Sequence, residues 1–110
     1  MERTILYYKH YFIDFFNSLS EGAKRKMAYV IEVLKTQQRI GTNFVKHIRD
    51  GIFELRVQHE GNIYRAFFIF DEGNIVMLFN GFQKKTQKTP ENEIEKAINL
   101  KNEYYAEKQQ

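Results

Sequence analysis

Residues 53–79 read FELRVQHEGNIYRAFFIFDEGNIVMLF, and this stretch decides the fold. Apolar and polar side chains alternate from Phe53 to Gln58, which is the period of a strand with one buried face. Two almost wholly apolar runs follow, Ile63–Phe70 and Ile75–Phe79, and the triplet Glu-Gly-Asn precedes each of them. Glycine in such short polar segments is typical of tight turns, so the pattern predicts three consecutive antiparallel strands.

Two helices are predicted on the N-terminal side of these strands. Thr4–Tyr8 predicts a short first strand, and the apolar side chains after it recur at the i, i+3, i+4, i+7 spacing of a helix with one buried face. They are Phe12, Phe15, Phe16 and Leu19. Ser20 is a natural N-cap for a second helix, and Gly41 is where we expect that helix to stop. The two helices would form a hairpin that covers the sheet.

A last helix is predicted after the strands. We expect Thr89 to cap it and Pro90 to occupy its first position, with three glutamates near its positive end. The element order is then β-α-α-β-β-β-α. These elements predict one α+β domain over residues 1–110, an antiparallel sheet packed against an N-terminal helical hairpin, with a C-terminal helix.

Composition excludes several classes of function. The 110-residue chain has no cysteine, which excludes disulfides, thiolate nucleophiles and thiolate metal sites. His10, His47 and His59 are scattered over a strand end, a loop and a turn, so no metal site is expected. The chain has no apolar run as long as a membrane span and no signal-peptide pattern at its start. We therefore expect a cytoplasmic protein that does not associate with membranes.

Positive charge is concentrated in two segments. Residues 81–90 read GFQKKTQKTP, with three lysines and no acid, and residues 20–39 hold five basic residues against two acidic ones. Residues 91–110 are acidic, with five glutamates against three lysines. A cationic rim between a strand and a helix suits a polyanion, although a basic loop that is merely solvated has the same composition.

Strand register brings two arginines together. The turn after the first of the three strands places Arg56 opposite Arg65, and like charges at opposed positions are unfavourable unless an acid or an anion neutralises them. Alternation along the next strand places Asn80 and Lys84 on the same face, with Glu54 at its margin. Two guanidinium groups, an amide and an ammonium group suit a phosphodiester, which arginine can bind through two parallel hydrogen bonds.

Structural interpretations compete with this anion site. Arg56 could simply pair with Glu54 or Glu60, and the lysines after the last strand could protect a strand end from aggregation. The pair Tyr104–Tyr105 indicates helix packing rather than a platform for base stacking.

The chain resembles the phage-related HigB branch of the RelE/ParE superfamily, toxins of type II toxin–antitoxin systems. The resemblance covers nearly the whole chain. The segments that carry it are Asp50–Val57, Gly61, Tyr64–Arg65, Asn80–Pro90 and Glu93–Ile94. It implies the RelE-like fold, which agrees with the architecture predicted from periodicity.

The resemblance also implies an activity, that of a ribosome-dependent mRNA endoribonuclease. Such an enzyme needs no metal or other cofactor, because a 2′-hydroxyl attacks the adjacent phosphate and leaves a cyclic phosphate. By position, the implied catalytic residues are Arg56, Arg65 and Lys84, and the implied substrate-binding residues are Glu54, Asn80, Lys85 and Lys88. Relatives often have histidine where this chain has Asn80, which cannot transfer protons. Proton transfer is then left to Lys84, Glu54 or the ribosome.

The resemblance implies partners as well. A helix-turn-helix antitoxin of the HigA type would be encoded in the same operon and would form a toxin–antitoxin heterotetramer, and the ribosome with its mRNA would be the target. Two alternatives remain open at this point. One is a ParE-like inhibitor that binds a protein such as DNA gyrase, and the other is an inactive interaction module that binds only its antitoxin.

Overall fold

A five-stranded mixed sheet forms the centre of the protein. The computed structural model describes residues 2–109. Along the chain its elements are β1 (Thr4–Tyr7), α1 (Tyr11–Asn17), α2 (Glu21–Thr36), β2 (Val45–Arg49), β3 (Ile52–His59), β4 (Asn62–Asp71), β5 (Ile75–Lys84) and α3 (Glu91–Lys108). The predicted α+β class is confirmed, and the three strands predicted in residues 53–79 are β3, β4 and β5.

The order of strands in the sheet is β1-β5-β4-β3-β2. Strands β2 to β5 pair antiparallel, whereas β1 runs parallel to β5. The prediction of a wholly antiparallel sheet is therefore wrong at β1. A tight turn forces antiparallel pairing only between consecutive strands, and β1 is separated from β5 by two helices and three strands, so its direction was not fixed by a turn.

Strand β2 is an element that the sequence did not predict. It has five residues, lies at the edge of the sheet, and its pairing with β3 is irregular between His47 and Arg49. A strand this short, with charged residues on it, has no clear alternating pattern, and its pairing with the longer β3 holds it in the sheet. His47 consequently lies on a strand rather than in the predicted loop.

The turn between β3 and β4 explains the register of that hairpin. Glu60 has φ 50° and Gly61 has φ 79°, and His59 pairs with Asn62 across a two-residue loop. Positive φ at both central positions is the turn whose twist matches that of the flanking strands, and glycine adopts it without strain. The predicted turn is confirmed.

Helices cover both faces of the sheet. The α1–α2 hairpin packs on one face, and α3 packs on the other over buried residues such as Ile52 and Phe67. Strand β3 was predicted to be half-buried, but Glu54 on its second face is only 1% exposed. The alternation of β3 predicted one solvent-exposed face, but α3 packs over part of that face and buries it.

The two long helices differ from the predicted boundaries. The Ser20 cap is confirmed, since its hydroxyl accepts a main-chain N–H of the first turn of α2 at 3.2 Å. Helix α2 ends at Thr36 rather than near Gly41. The guanidinium of Arg3 donates to three main-chain carbonyls between Leu34 and Gln38, so a side chain from the residue before β1 satisfies the end of this helix.

Helix α3 begins one residue later than predicted. Pro90 is its N-cap residue rather than its first helical residue, and Thr89 does not cap it. The spacing of apolar residues predicts that Ile94, Ala97, Ile98 and Tyr105 form the packed face of this helix. Ile94 and Ala97 are buried, Ile98 and Tyr105 are half-buried, and Leu100 is buried with them. No helix within residues 2–109 is long and apolar enough to span a membrane.

Side chains at the C-terminal end of α3 hold it to the sheet. Lys108 donates to the buried carboxylate of Asp71 at 2.6 Å, and Tyr104 donates to the same oxygen. Burial alone would raise the pKa of Asp71, but these two hydrogen bonds lower it overall. Burial and a hydrogen bond to Glu107 raise the pKa of Tyr8 to about 12. Tyr104 and Tyr105 are both partly buried against the core beneath α3, so the pair has a packing role, as predicted.

Helix α1 lies close to β5 because residue 81 is glycine. A Cβ atom built on Gly81 would lie 2.2 Å from a ring carbon of Phe15, far inside van der Waals contact. The absence of a side chain therefore lets α1 approach the strand that carries the basic segment.

Candidate anion-binding site

Two arginines face each other on the side of the sheet that α3 partly covers. Arg56 on β3 pairs directly with Arg65 on β4, and their neighbours Leu55 and Ala66 pair on the opposite face. This predicted register is confirmed. Directly opposed like charges need a counter-charge or an anion.

Glu54 supplies the counter-charge. Its carboxylate oxygen Oε1 lies 3.3 Å from Nε of Arg65 and 3.6 Å from Nε of Arg56, and its Oε2 accepts from the hydroxyl of Thr89 at 3.2 Å. The predicted place of Glu54 at the margin of the site is wrong, because α3 and the segment before it bury this carboxylate beneath the arginines. The predicted ion pair of Arg56 with Glu54 is present, whereas Glu60 lies near His59.

Arg65 is the more buried of the two arginines and is incompletely paired. It is 6% exposed, and one terminal nitrogen donates to the carbonyl of Tyr64 at 3.0 Å. Its Nε is within ion-pair distance of Glu54 but is not aligned for a hydrogen bond with any group. Burial lowers the pKa of Arg65, Glu54 opposes that shift, and Arg56 adds to it. This Nε is therefore buried beside the carboxylate of Glu54 and belongs to the ion pair rather than to the exposed part of the side chain.

Asn80 does not join the arginines. It was predicted to lie near Arg65 in a shared surface, but Phe82 occupies the position opposite Arg65. Asn80 is 2% exposed, and its amide nitrogen donates to the main-chain carbonyl and to the carboxylate of Glu93, both at 3.1 Å. These contacts hold the start of α3 against β5.

The misplacement of Asn80 has a geometric cause. Asp71 pairs with Ile75 across a three-residue loop, one residue longer than a tight two-residue turn. A bulge then sets Phe79 and Asn80 of β5 against the single residue Phe67 of β4. Each feature shifts the register by one residue. Because the two shifts add to an even number, the alternation survives and Lys84 still lies on the arginine face.

A cleft of about 900 Å³ opens above the arginine pair. Its cationic lining residues are Lys46, Arg56, Arg65, Lys84 and Lys85, and within residues 2–109 no acidic residue lines it. The remaining lining residues are mainly amide and hydroxyl side chains. The structure therefore brings Lys84 to the arginines as predicted. Lys85 also lines the cleft, whereas Lys88 lies outside the lining.

Lys46 is a member of the cleft that sequence reasoning missed. It lies on β2 opposite Glu54, so its side chain belongs to the same face as those of Arg56 and Arg65. Lys46 was missed because β2 was not predicted. The face on which a side chain lies can be assigned only when its residue is known to belong to a strand. The cations then extend over four adjacent strands, a span of about 14 Å at the usual strand spacing.

Lys84 is half-buried in this cationic environment. Burial lowers its pKa, the charges of Arg65, Arg56 and Lys46 lower it further, and Glu54 opposes them. A lysine with a lowered pKa releases its proton more readily than a free lysine. The cleft therefore combines groups that can bind a phosphate with one group that can donate a proton.

The second cleft and the remaining titratable residues are less suited to binding an anion or a metal ion. A cleft of about 520 Å³ between β1 and α2 is lined by charges of both signs, Glu2 and Glu32 against Arg3 and Lys35, so it has no preference for an anion. Within residues 2–109, no three His, Cys, Asp or Glu side chains are placed to hold a metal ion. None of the three histidines lines the cationic cleft.

A family model described as phage-derived protein Gp49-like (DUF891) matches residues 14–102. The match runs from the middle of α1 through most of α3 and includes every residue that lines the cationic cleft. No curated protein matches the chain.

Proposed function

The chain belongs to the phage-derived Gp49-like family, a RelE/HigB-like toxin family, and from this premise we propose that it is a type II toxin of the HigB branch that cleaves mRNA on the ribosome in the cytoplasm. The observation that carries the proposal is the apposition of Arg56 and Arg65 at the base of a cleft lined by cations. A protein that acted only by binding another protein would not need two opposed arginines in a cleft lined by cations.

The two arginines would stabilise the phosphate during the reaction. Attack by the 2′-hydroxyl oxygen on phosphorus forms one P–O bond, the bond to the 5′-oxygen breaks, and negative charge accumulates on the non-bridging oxygens. Arg56 and the guanidinium group of Arg65, which both line the cleft, would donate hydrogen bonds to those oxygens. Such donors act most strongly in a buried site, where water does not compete.

Proton transfer would be divided between this chain and its target. Lys84, with its lowered pKa, would donate a proton to the departing 5′-oxygen. Glu54 is 1% exposed beneath the arginines, so we assign it to holding them rather than to accepting the proton of the 2′-hydroxyl. That proton would then pass to a group of the ribosome, which accounts for ribosome dependence. Lys85 and the exposed Lys88 would contact RNA phosphates.

The test is cleavage of mRNA during translation in a purified system. Wild-type protein should yield fragments that end in a 2′,3′-cyclic phosphate and begin with a 5′-hydroxyl. Arg56→Ala should slow cleavage about 100-fold, as expected for removal of one donor to the developing charge. Arg39→Ala is the matched control, because Arg39 is exposed and lies outside the cleft.

Three results would contradict the proposal. One is equal cleavage by wild-type protein and Arg56→Ala. The second is uncut mRNA together with inhibition of DNA gyrase, which would favour the ParE-like alternative. The third is neither mRNA cleavage nor gyrase inhibition, which would favour the module that binds only an antitoxin.

We also propose a HigA-like helix-turn-helix antitoxin from the same operon that forms a heterotetramer with this chain. An open cationic cleft that binds RNA needs control, and apolar surface would carry most of the binding energy. Tyr29 on the helical hairpin is 57% exposed and is a candidate contact. Purification of the chain expressed from its native operon should recover the small co-encoded protein, even at high salt, and its absence would contradict this proposal.

A further inference from the structure

Thr89 occupies a position that helix capping does not explain. Its sequence context predicts a cap for α3, but α3 has no side-chain cap, and the hydroxyl of Thr89 donates to Oε2 of Glu54 at 3.2 Å instead. The other oxygen of that carboxylate, Oε1, faces both arginines. The two oxygens of Glu54 are therefore divided between the start of α3 and the arginine pair.

This division leaves Arg65 with an unused donor. A carboxylate beside a guanidinium group ordinarily turns to make two parallel hydrogen bonds with it. Here Nε of Arg65 lies 3.3 Å from Oε1 of Glu54 without a hydrogen bond, although Arg65 is 6% exposed. An unpaired donor at this depth is costly, so its persistence requires a restraint on Glu54.

The main chain that follows Thr89 is anchored to the sheet. The first turn of α3 is attached to the sheet on two sides, through Glu93 to Asn80 and through Glu91 to Arg49. Thr89 lies immediately before this anchored turn. The main chain next to Thr89 is therefore anchored by contacts that do not involve Glu54.

We propose that Thr89 is a positioning residue that restrains Glu54 from closing onto Arg65 and so keeps the guanidinium group available to a phosphate oxygen of RNA. The identity of the anion rests on the proposed function. The restraint itself rests on the three contacts of Glu54. Loss of the hydroxyl lets the carboxylate turn, pair fully with Arg65 and compete with the phosphate.

Substitutions at residue 89 separate the hydroxyl from the shape of the side chain. Thr89→Val keeps the branched shape and removes the donor, and Thr89→Ser keeps the donor and removes the methyl group. The probe is a three-nucleotide RNA with 2′-O-methyl groups, which binds without being cleaved. Its affinity should fall about tenfold in Thr89→Val, the equivalent of one hydrogen bond to a charged group, and should change less than about twofold in Thr89→Ser.

A second readout follows the arginine directly. The NMR signal of the Nε–H group of Arg65 should move to the frequency of a charge-assisted hydrogen bond in Thr89→Val and remain in place in Thr89→Ser. In a Glu54→Gln background, Thr89→Val should have no further effect on affinity, because the competing carboxylate is gone. Melting temperatures of the two variants at residue 89 should agree within a few degrees.

The outcomes distinguish this inference from the proposed function. If wild-type protein does not bind the RNA probe but the Arg65 signal responds to Thr89→Val alone, the positioning role stands and the RNA function fails. An unchanged Arg65 signal in Thr89→Val, or equal changes in both variants, overturns the positioning role whatever the RNA affinity is.

Discussion

Replacement of Glu54 by glutamine tests whether a single buried carboxylate holds the cationic site together. With an effective dielectric constant near 20, charges 3.3 Å and 3.6 Å apart attract by roughly 5 kcal/mol each, before the cost of burying the carboxylate is subtracted. Loss of one partner of a buried ion pair costs about 3–5 kcal/mol of unfolding free energy overall. For a chain of 110 residues, about 3 kcal/mol corresponds to a melting temperature roughly 12 °C lower.

The assay is thermal and urea unfolding followed by circular dichroism. Glu60→Gln is the matched control, because Glu60 lies on an exposed turn and should melt within about 2 °C of wild type. Inorganic phosphate should raise the melting temperature of Glu54→Gln more than that of the wild type, since the anion then replaces the lost counter-charge. A Glu54→Gln protein that melts like the control would refute the reasoning, and so would an absence of any selective effect of phosphate.

Three further predictions concern the cleft, the acid end of the pH range and the core. Lys46→Ala should reduce the slope of log affinity for single-stranded RNA against log salt by about 0.7, measured by fluorescence titration, whereas Lys26→Ala on the exposed surface of α2 should not. The pKa of Asp71 is lower in the folded state than in the unfolded state. The stability that the ionised Asp71 gives the fold is therefore complete above the unfolded pKa of about 3.9, and it is lost as the pH falls through the folded pKa. Urea unfolding at several pH values should therefore show a weaker loss of stability in acid for Asp71→Asn than for wild type. Gly81→Ala should lower the unfolding free energy by about 1–3 kcal/mol, and Phe15→Leu in the same chain should restore part of it, because the new Cβ collides with that ring.

Local patterns in the sequence were sufficient to predict the opposed arginines and the face on which Lys84 lies. The position of Arg56 opposite Arg65 follows from a two-residue turn, whose geometry is set by Glu60 and Gly61. The assignment of Lys84 to the same face follows from alternation, and it survived two errors in register because an even shift preserves the face.

Other features depend on residues that are distant in the sequence. The bulge at Phe79–Asn80 and the contact of Asn80 with Glu93 appear only when β5 packs against α3. The early end of α2 depends on Arg3, more than thirty residues away along the chain. No local pattern contains such information.

The sequence by itself determined the class of fold, the β3–β4 hairpin and the basic character of the residues around it, because turn chemistry and side-chain periodicity act over a few residues. Only the tertiary structure decided that β1 is parallel to β5, that β2 brings Lys46 into the cleft, and that Glu54 is buried between the arginines and Thr89. The physical reason is that burial and ion pairing depend on which elements cover one another, and the cover given by α3 is fixed by contacts spread along the whole chain.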